Sequence, residues 1–120
     1  MSAGRLLLVD DEPDIRAIAK MALERIGGWA VTAAASAGEA VAAVQQDMPD
    51  VILLDVMMPD TDGPATLEQL RPLLADGVPV IFLTAKGESA SLLALGAAGV
   101  IAKPFDPISL PREVAAITER

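Results

Sequence analysis

Short apolar runs alternate along the chain with longer segments whose apolar residues recur at helical spacing. Residues 5–9, 29–34, 51–54, 78–83 and 99–102 are the runs, and they read as five strands. In the first segment between them, Ile15, Ile18, Ala22 and Ile26 fall on one helical face, and Gly27-Gly28 ends it. Ser36 with Glu39 three residues on is a capping-box pair opening a second helix, with Val41 and Val44 facing inward. A third helix runs from Gly63 or Pro64 through Leu67 and Leu70 until Pro72 closes or kinks it. The fourth is short, about 89–95, with Gly96 as its C-terminal cap. Pro111 in a helix interior would lose a hydrogen bond, so the fifth helix is expected to start near Ser109 or Leu110.

Strand and helix thus alternate five times, and the central strands are apolar on both faces. That pattern specifies a parallel sheet with helices on both sides, an α/β fold. Right-handed crossovers make it a doubly wound three-layer sandwich. Ligands of such sheets sit beyond the carboxyl ends of the strands, near the point where strand order reverses.

At 120 residues the chain is expected to be one domain, residues 1–120, large enough to bury a core without staples. Cysteine and histidine are both absent, which removes disulfides, thiolate metal sites, the commonest general base and the usual zinc ligand. Chemistry here must run on carboxylates, lysine, hydroxyls or a hard metal ion. A net charge of -8 with no basic cluster argues against nucleic acid as a partner. The apolar run of four residues in "MSAGRLLLVDDE" is too short for a signal peptide, and the uncharged stretch 89–102 is too short to span a membrane. A soluble cytoplasmic protein is the expectation.

The strand ends carry the chemistry. The first strand ends in Asp10-Asp11, the third in Asp55, the fourth in Thr84 and the fifth in Lys103, whereas the second ends in plain alanines. Taken singly, each has a structural explanation: Asp11 or Glu12 could favour a helix dipole, a lone threonine is usually inert, and a lone lysine is usually solvated. Jointly they are poorly explained that way. In a doubly wound sheet they would bring three carboxylates, a hydroxyl and an ammonium to one edge. Packed carboxylates resist joint ionisation unless a cation neutralises them. Oxygen-only ligands point to Mg²⁺, Mn²⁺ or Ca²⁺. Metal, lysine and hydroxyl around one carboxylate make a phosphoryl-transfer site, in which that carboxylate can become an acyl phosphate. Asp55 interrupts an apolar run, which would cost desolvation unless something pairs with it.

With the motifs "LLLVDDEPD", "VILLDVMMPDTDG", "PVIFLTA" and "GAAGVIAKPF" in this order, the chain resembles the receiver domain of two-component response regulators over essentially its whole length. The resemblance implies the flavodoxin-like receiver fold with strand order 2-1-3-4-5. It implies that Asp55 is the phosphoacceptor, taking a phosphoryl group from a phosphohistidine on a sensor histidine kinase or a histidine phosphotransfer protein. By the same resemblance Asp10 and Asp11 hold Mg²⁺ (or Mn²⁺) with Asp55 and the backbone carbonyl of Met57. Thr84 supplies the hydroxyl that turns toward the phosphoryl group, and Lys103 binds its oxygens. Lys103-Pro104 is implied to be a cis peptide, Ala85 to leave room over the phosphate, Gly63 to be the loop glycine, and Met57 and Lys86 to tune hydrolysis. Many receivers carry an aromatic residue three positions before the lysine. Val100 stands there, so a switch built on Thr84 and an aromatic ring is not expected, and the connection from Thr84 to Lys103 is a few residues shorter than is common.

The resulting expectation is a stand-alone signalling module that phosphorylates and dephosphorylates itself rather than a turnover enzyme, acting on a downstream protein, or a phosphate sink in a phosphorelay. An aspartyl-phosphate phosphatase is the rival. Such enzymes generally carry a second acid two residues past the nucleophile, where this chain has Met57. A flavin-binding domain would need a Gly/Ser/Thr-rich phosphate loop and stacking aromatics, and the chain offers only Trp29, Phe82 and Phe105.

Overall fold

A computed structural model of the chain describes residues 3–59, 61–84 and 89–119. Its elements are β1 Gly4–Val9, α1 Pro13–Arg25, β2 Trp29–Ala34, α2 Ala37–Gln46, β3 Val51–Asp55, α3 Gly63–Leu70, β4 Val80–Thr84, α4 Ser89–Ala94, β5 Gly99–Ala102 and α5 Leu110–Thr118. A 3₁₀ turn, Arg71–Leu73, follows α3 where Pro72 removes an amide donor. The five strands are all parallel, in the order β2-β1-β3-β4-β5.

Local signals start the helices where the sequence placed them. Ser36 Oγ accepts from the Glu39 amide at 3.2 Å, while Glu39 Oε1 accepts from the Ala35 amide at 3.0 Å, a reciprocal cap one residue wider than the usual box. Asp62 Oδ1 accepts from the Ala65 amide at 2.8 Å and so caps α3. Pro13 and Pro111 sit in first turns, where the missing N–H has no intrahelical partner to lose. Gly96 ends α4 at φ +92°, a left-handed conformation that costs glycine little.

Strand parity builds two cores, one on each face of the sheet. Leu7, Val9, Ile52, Leu54, Val80 and Phe82 pack with α2, α3 and Leu92 of α4. Leu6, Leu8, Val51, Leu53, Ile81, Leu83 and Ile101 pack with α1 and α5. Each fully buried leucine, isoleucine or phenylalanine contributes about 1.5–3 kcal/mol through apolar burial. The second parity decides the site, because it continues to Asp55 at the end of β3 and to Asp10 and Lys103 one residue past β1 and β5.

Two expectations shift. The buried face of α1 is Ala19, Ala22 and Leu23; it is centred one position further round the helix, which leaves Ile18 at its exposed edge. Ile26 lies past the last turn as the C-cap and is exposed as well. The fourth strand begins at Val80 rather than 78 and runs on to Thr84.

Candidate functional site

Asp10, Asp55 and Lys103 meet beyond the carboxyl ends of the strands. Leu8 is level with Leu53 and Val9 with Leu54, so the next residues, Asp10 and Asp55, emerge side by side from adjacent strands. Lys103 arrives from β5, held by its amide donating to the Thr84 carbonyl at 2.7 Å. Its Nζ lies 2.9 Å from Asp10 Oδ2, 3.2 Å from Asp55 Oδ1 and 3.4 Å from Glu12 Oε1. Asp10 and Asp55 are buried, whereas the Glu12 side chain is 59% exposed. Lys103-Pro104 is a cis peptide bond.

The acidic turn after β1 is itself fixed. The Asp10 amide donates to the Ala34 carbonyl at 3.0 Å, and Asp10 Oδ1 accepts from the Glu12 amide at 2.9 Å. Arg16 Nη1 donates to the Asp10 carbonyl at 2.8 Å. Behind Asp55, Gly63 packs so closely that a Cβ there would stand 2.8 Å from both the Asp55 carbonyl oxygen and Val56 Cα. Thr84 is buried at the end of β4, level with Ala102. Met57, two residues past Asp55, exposes its side chain.

Electrostatics mark the centre of this arrangement. Burial, reinforced by the neighbouring Asp10 charge, pushes the Asp55 carboxyl up to about 6 from an ordinary 3.8, against the opposing pull of Lys103 and the Met57 backbone. Burial acts to lower the Lys103 pKa, but Asp10, followed by Asp55, outweighs it and holds the ammonium above its ordinary value. Asp11 Oδ1 and Asp55 Oδ2 are buried without a hydrogen-bond partner among the described residues, and Asp10 Oδ2 has only its charge contact with Lys103. Buried carboxylate oxygens left this way call for a cation. Asp10, Asp11, Glu12 and Asp55 each present an oxygen within 4.8 Å of the others, a set able to hold a hard divalent ion.

Residues 6–115 match the family described as "Response regulator receiver domain". The chain belongs to this family. It is 41% identical over 119 residues to the transcriptional regulatory protein ResD of Bacillus subtilis, a match covering 97% of this chain and 48% of ResD. It is 39% identical over 109 residues to the response regulator Rre1 of Synechocystis, covering 88% of this chain and 47% of Rre1. The chain therefore spans about half the length of the curated relatives it matches. Among solved structures it is similar to the Vibrio cholerae chemotaxis protein CheY4, with TM-score 0.85, 30% identity and 98% of each chain covered.

The receiver domain that this chain forms is a signalling module of two-component response regulators rather than a classical turnover enzyme. The sheet order expected from the family resemblance is the one observed. Of the residues singled out in the sequence, Asp10, Asp55 and Lys103 are brought into direct contact, Asp11 stands beside them, and Thr84 and Met57 flank them. Ala85 and Lys86 lie outside the described residues. Sequence reasoning passed over two neighbours. Glu12 looked like a helix-dipole residue but reaches Lys103, and Arg16, one turn into α1, anchors the acidic turn. The uninterrupted Asp-Asp-Glu run was the available signal for Glu12. Among the described residues, no helix is long and apolar enough to cross a membrane.

Proposed function

We propose that residues 1–120 form a single receiver domain in which Asp55 accepts a phosphoryl group from a phosphohistidine on a sensor histidine kinase or phosphotransfer protein. The observation that carries this reading is Lys103 spanning from Asp10 to Asp55 beside carboxylate oxygens that lack partners. An oxygen of Asp55 attacks phosphorus and forms a P–O bond as the P–N bond to the donor imidazole breaks, the electron pair leaving with nitrogen. Asp55 must be ionised to attack, and above its pKa of about 6 it is.

Asp10, Asp11, Asp55 and the Met57 carbonyl would hold Mg²⁺, or Mn²⁺ in its place. That ion would supply charge neutralisation and a fixed position for phosphoryl oxygens. Lys103 pairs with a phosphoryl oxygen, and Thr84 supplies a hydroxyl donor as its side chain turns toward the new group. The acyl phosphate is then lost by hydrolysis at the same site, and the changed surface is read by a partner protein. Several of the curated relatives are named as transcriptional regulators, which favours a regulatory output for the whole protein over a metabolic one. Incubation with acetyl phosphate and Mg²⁺, followed by intact mass, should show one added phosphoryl group per chain and none in Asp55→Ala. Multiple turnover of a generic phosphate ester would instead favour a phosphatase.

A further inference from the structure

Lys103 carries three N–H donors and faces three carboxylates, so its ammonium is fully engaged before any phosphoryl group arrives. An incoming phosphoryl group needs one of those N–H donors while Asp55 is still a carboxylate, so one of the three must let go. Asp10 is wholly buried, with Oδ1 already accepting from the Glu12 amide, so water cannot take the place of the lysine beside it. Asp55 is the group being modified. Glu12 is different: its side chain is 59% exposed, its bond to Nζ is the longest of the three at 3.4 Å, and water can take the place of the lysine. Glu12 also stands with Lys103, Pro104 and Phe105 along one groove beside the site, so its charge lies where an anionic donor approaches.

We propose that Glu12 is a specificity-determining residue for phosphoryl transfer: its carboxylate is the exchangeable partner of Lys103 and slows transfer from free phosphoanions by competing for that ammonium and repelling the donor. The proposal rests on Asp55 being the acceptor. With acetyl phosphate as donor, the P–O bond to Asp55 forms as the P–O bond to acetate breaks, and acetate leaves with the electron pair. The charge on each side of the reaction is the same, so the ionic atmosphere acts on the approach of donor to Glu12 rather than on a change in net charge.

The test is the rate of acyl-phosphate formation from acetyl phosphate, followed by intact mass in the full chain at saturating Mg²⁺ titrated separately for each variant. Glu12→Gln and Glu12→Ala should both react about three- to tenfold faster than the parent at low ionic strength, the scale expected for removing one surface charge a few ångströms from a dianion. Glu12→Asp keeps the charge on a shorter arm and should fall between. The advantage of Glu12→Gln should shrink toward unity near 1 M salt, where the screening length is about 3 Å. Rates unchanged or lower in both Glu12→Gln and Glu12→Ala overturn the proposal, because Glu12 would then be idle or needed to aim Lys103. An advantage indifferent to salt also overturns it, since a general loosening of the loop would behave that way. Label persisting in Asp55→Ala is a separate result and sinks the acceptor assignment itself.

Discussion

Lys103 Nζ lies 3.2 Å from Asp55 Oδ1, although the two residues leave strands that are not neighbours: β4 stands between β5 and β3. The lysine reaches across the end of β4 and ties both sides of the site together. Its contact with Asp10 extends the tie to a third strand, β1.

Removing the ammonium should therefore expose the mutual repulsion of the acids. Lys103→Met should lower stability without metal at pH 7.5 by about 1–3 kcal/mol, less than for a fully dry ion pair because Lys103 is partly solvated. The loss should be smaller at pH 5, where Asp55 takes up its proton. Urea unfolding at the two pH values measures both. Equal losses at both would mean that the lysine contributes packing alone.

The raised pKa of Asp55 has its own sign. A proton binds the folded chain more tightly than the unfolded one, so the stabilisation is complete below the ordinary value of 3.8 and is lost as pH rises through about 6. Asp55→Asn removes the titration. Without metal it should be more stable than the parent at pH 7.5 by on the order of 2 kcal/mol, with the gain vanishing below about pH 4. A variant less stable than the parent at pH 7.5 would contradict the electrostatic account.

Most of this site was legible because parallel-sheet parity is a two-residue rule. Once Leu6, Leu8 and Val51, Leu53 are placed on one face, Asp10 and Asp55 must follow on that face, and Lys103 follows Ile101. The carboxyl-end rule then puts all three at one edge. Glu12 was not legible as a contact of Lys103, since a residue in the turn after a strand obeys no such period. The depth of α1 was misjudged for a related reason: Ile18 and Ala19 both belong to an apolar stripe, and only the packing of α1 against the sheet selects the alanine for the inside. Small residues there let the helix approach closely, which a hydrophobicity pattern does not reveal.

Gly63 is a steric requirement of the strand that ends in Asp55. Its φ is ordinary, so the constraint is space: a Cβ would meet backbone atoms of Asp55 and Val56, neither of which can rotate away. Gly63→Ala should cost about 1–3 kcal/mol, in the range of overpacked cores. It should also weaken Mg²⁺ binding by displacing Asp55. A thermal melt and a Mg²⁺ titration check the two effects, and an alanine variant as stable as the parent would show that the loop yields freely. Gly77→Ala serves as the contrast on space alone, since nothing lies within 4 Å of its would-be Cβ; its φ of +82° predicts a backbone cost there without any metal effect.

A cation held by the native acids and not by the unfolded chain must raise stability. At ten times its dissociation constant, Mg²⁺ should add about 1.4 kcal/mol through linkage, seen as a higher melting temperature. Asp10→Asn and Asp11→Asn should each diminish the shift, and together abolish it. The only tryptophan provides an internal control. Trp29 opens β2 level with Gly4, at the amino ends of the strands and so at the far end of the sheet from Asp10, and its ring packs near Gly4 and Gly27. Its fluorescence should therefore be nearly indifferent to Mg²⁺ while the melting temperature climbs. A large quench with an unchanged melting temperature would place the ion at the wrong end of the sheet and leave the unpartnered oxygens of Asp11 and Asp55 without a cation to serve.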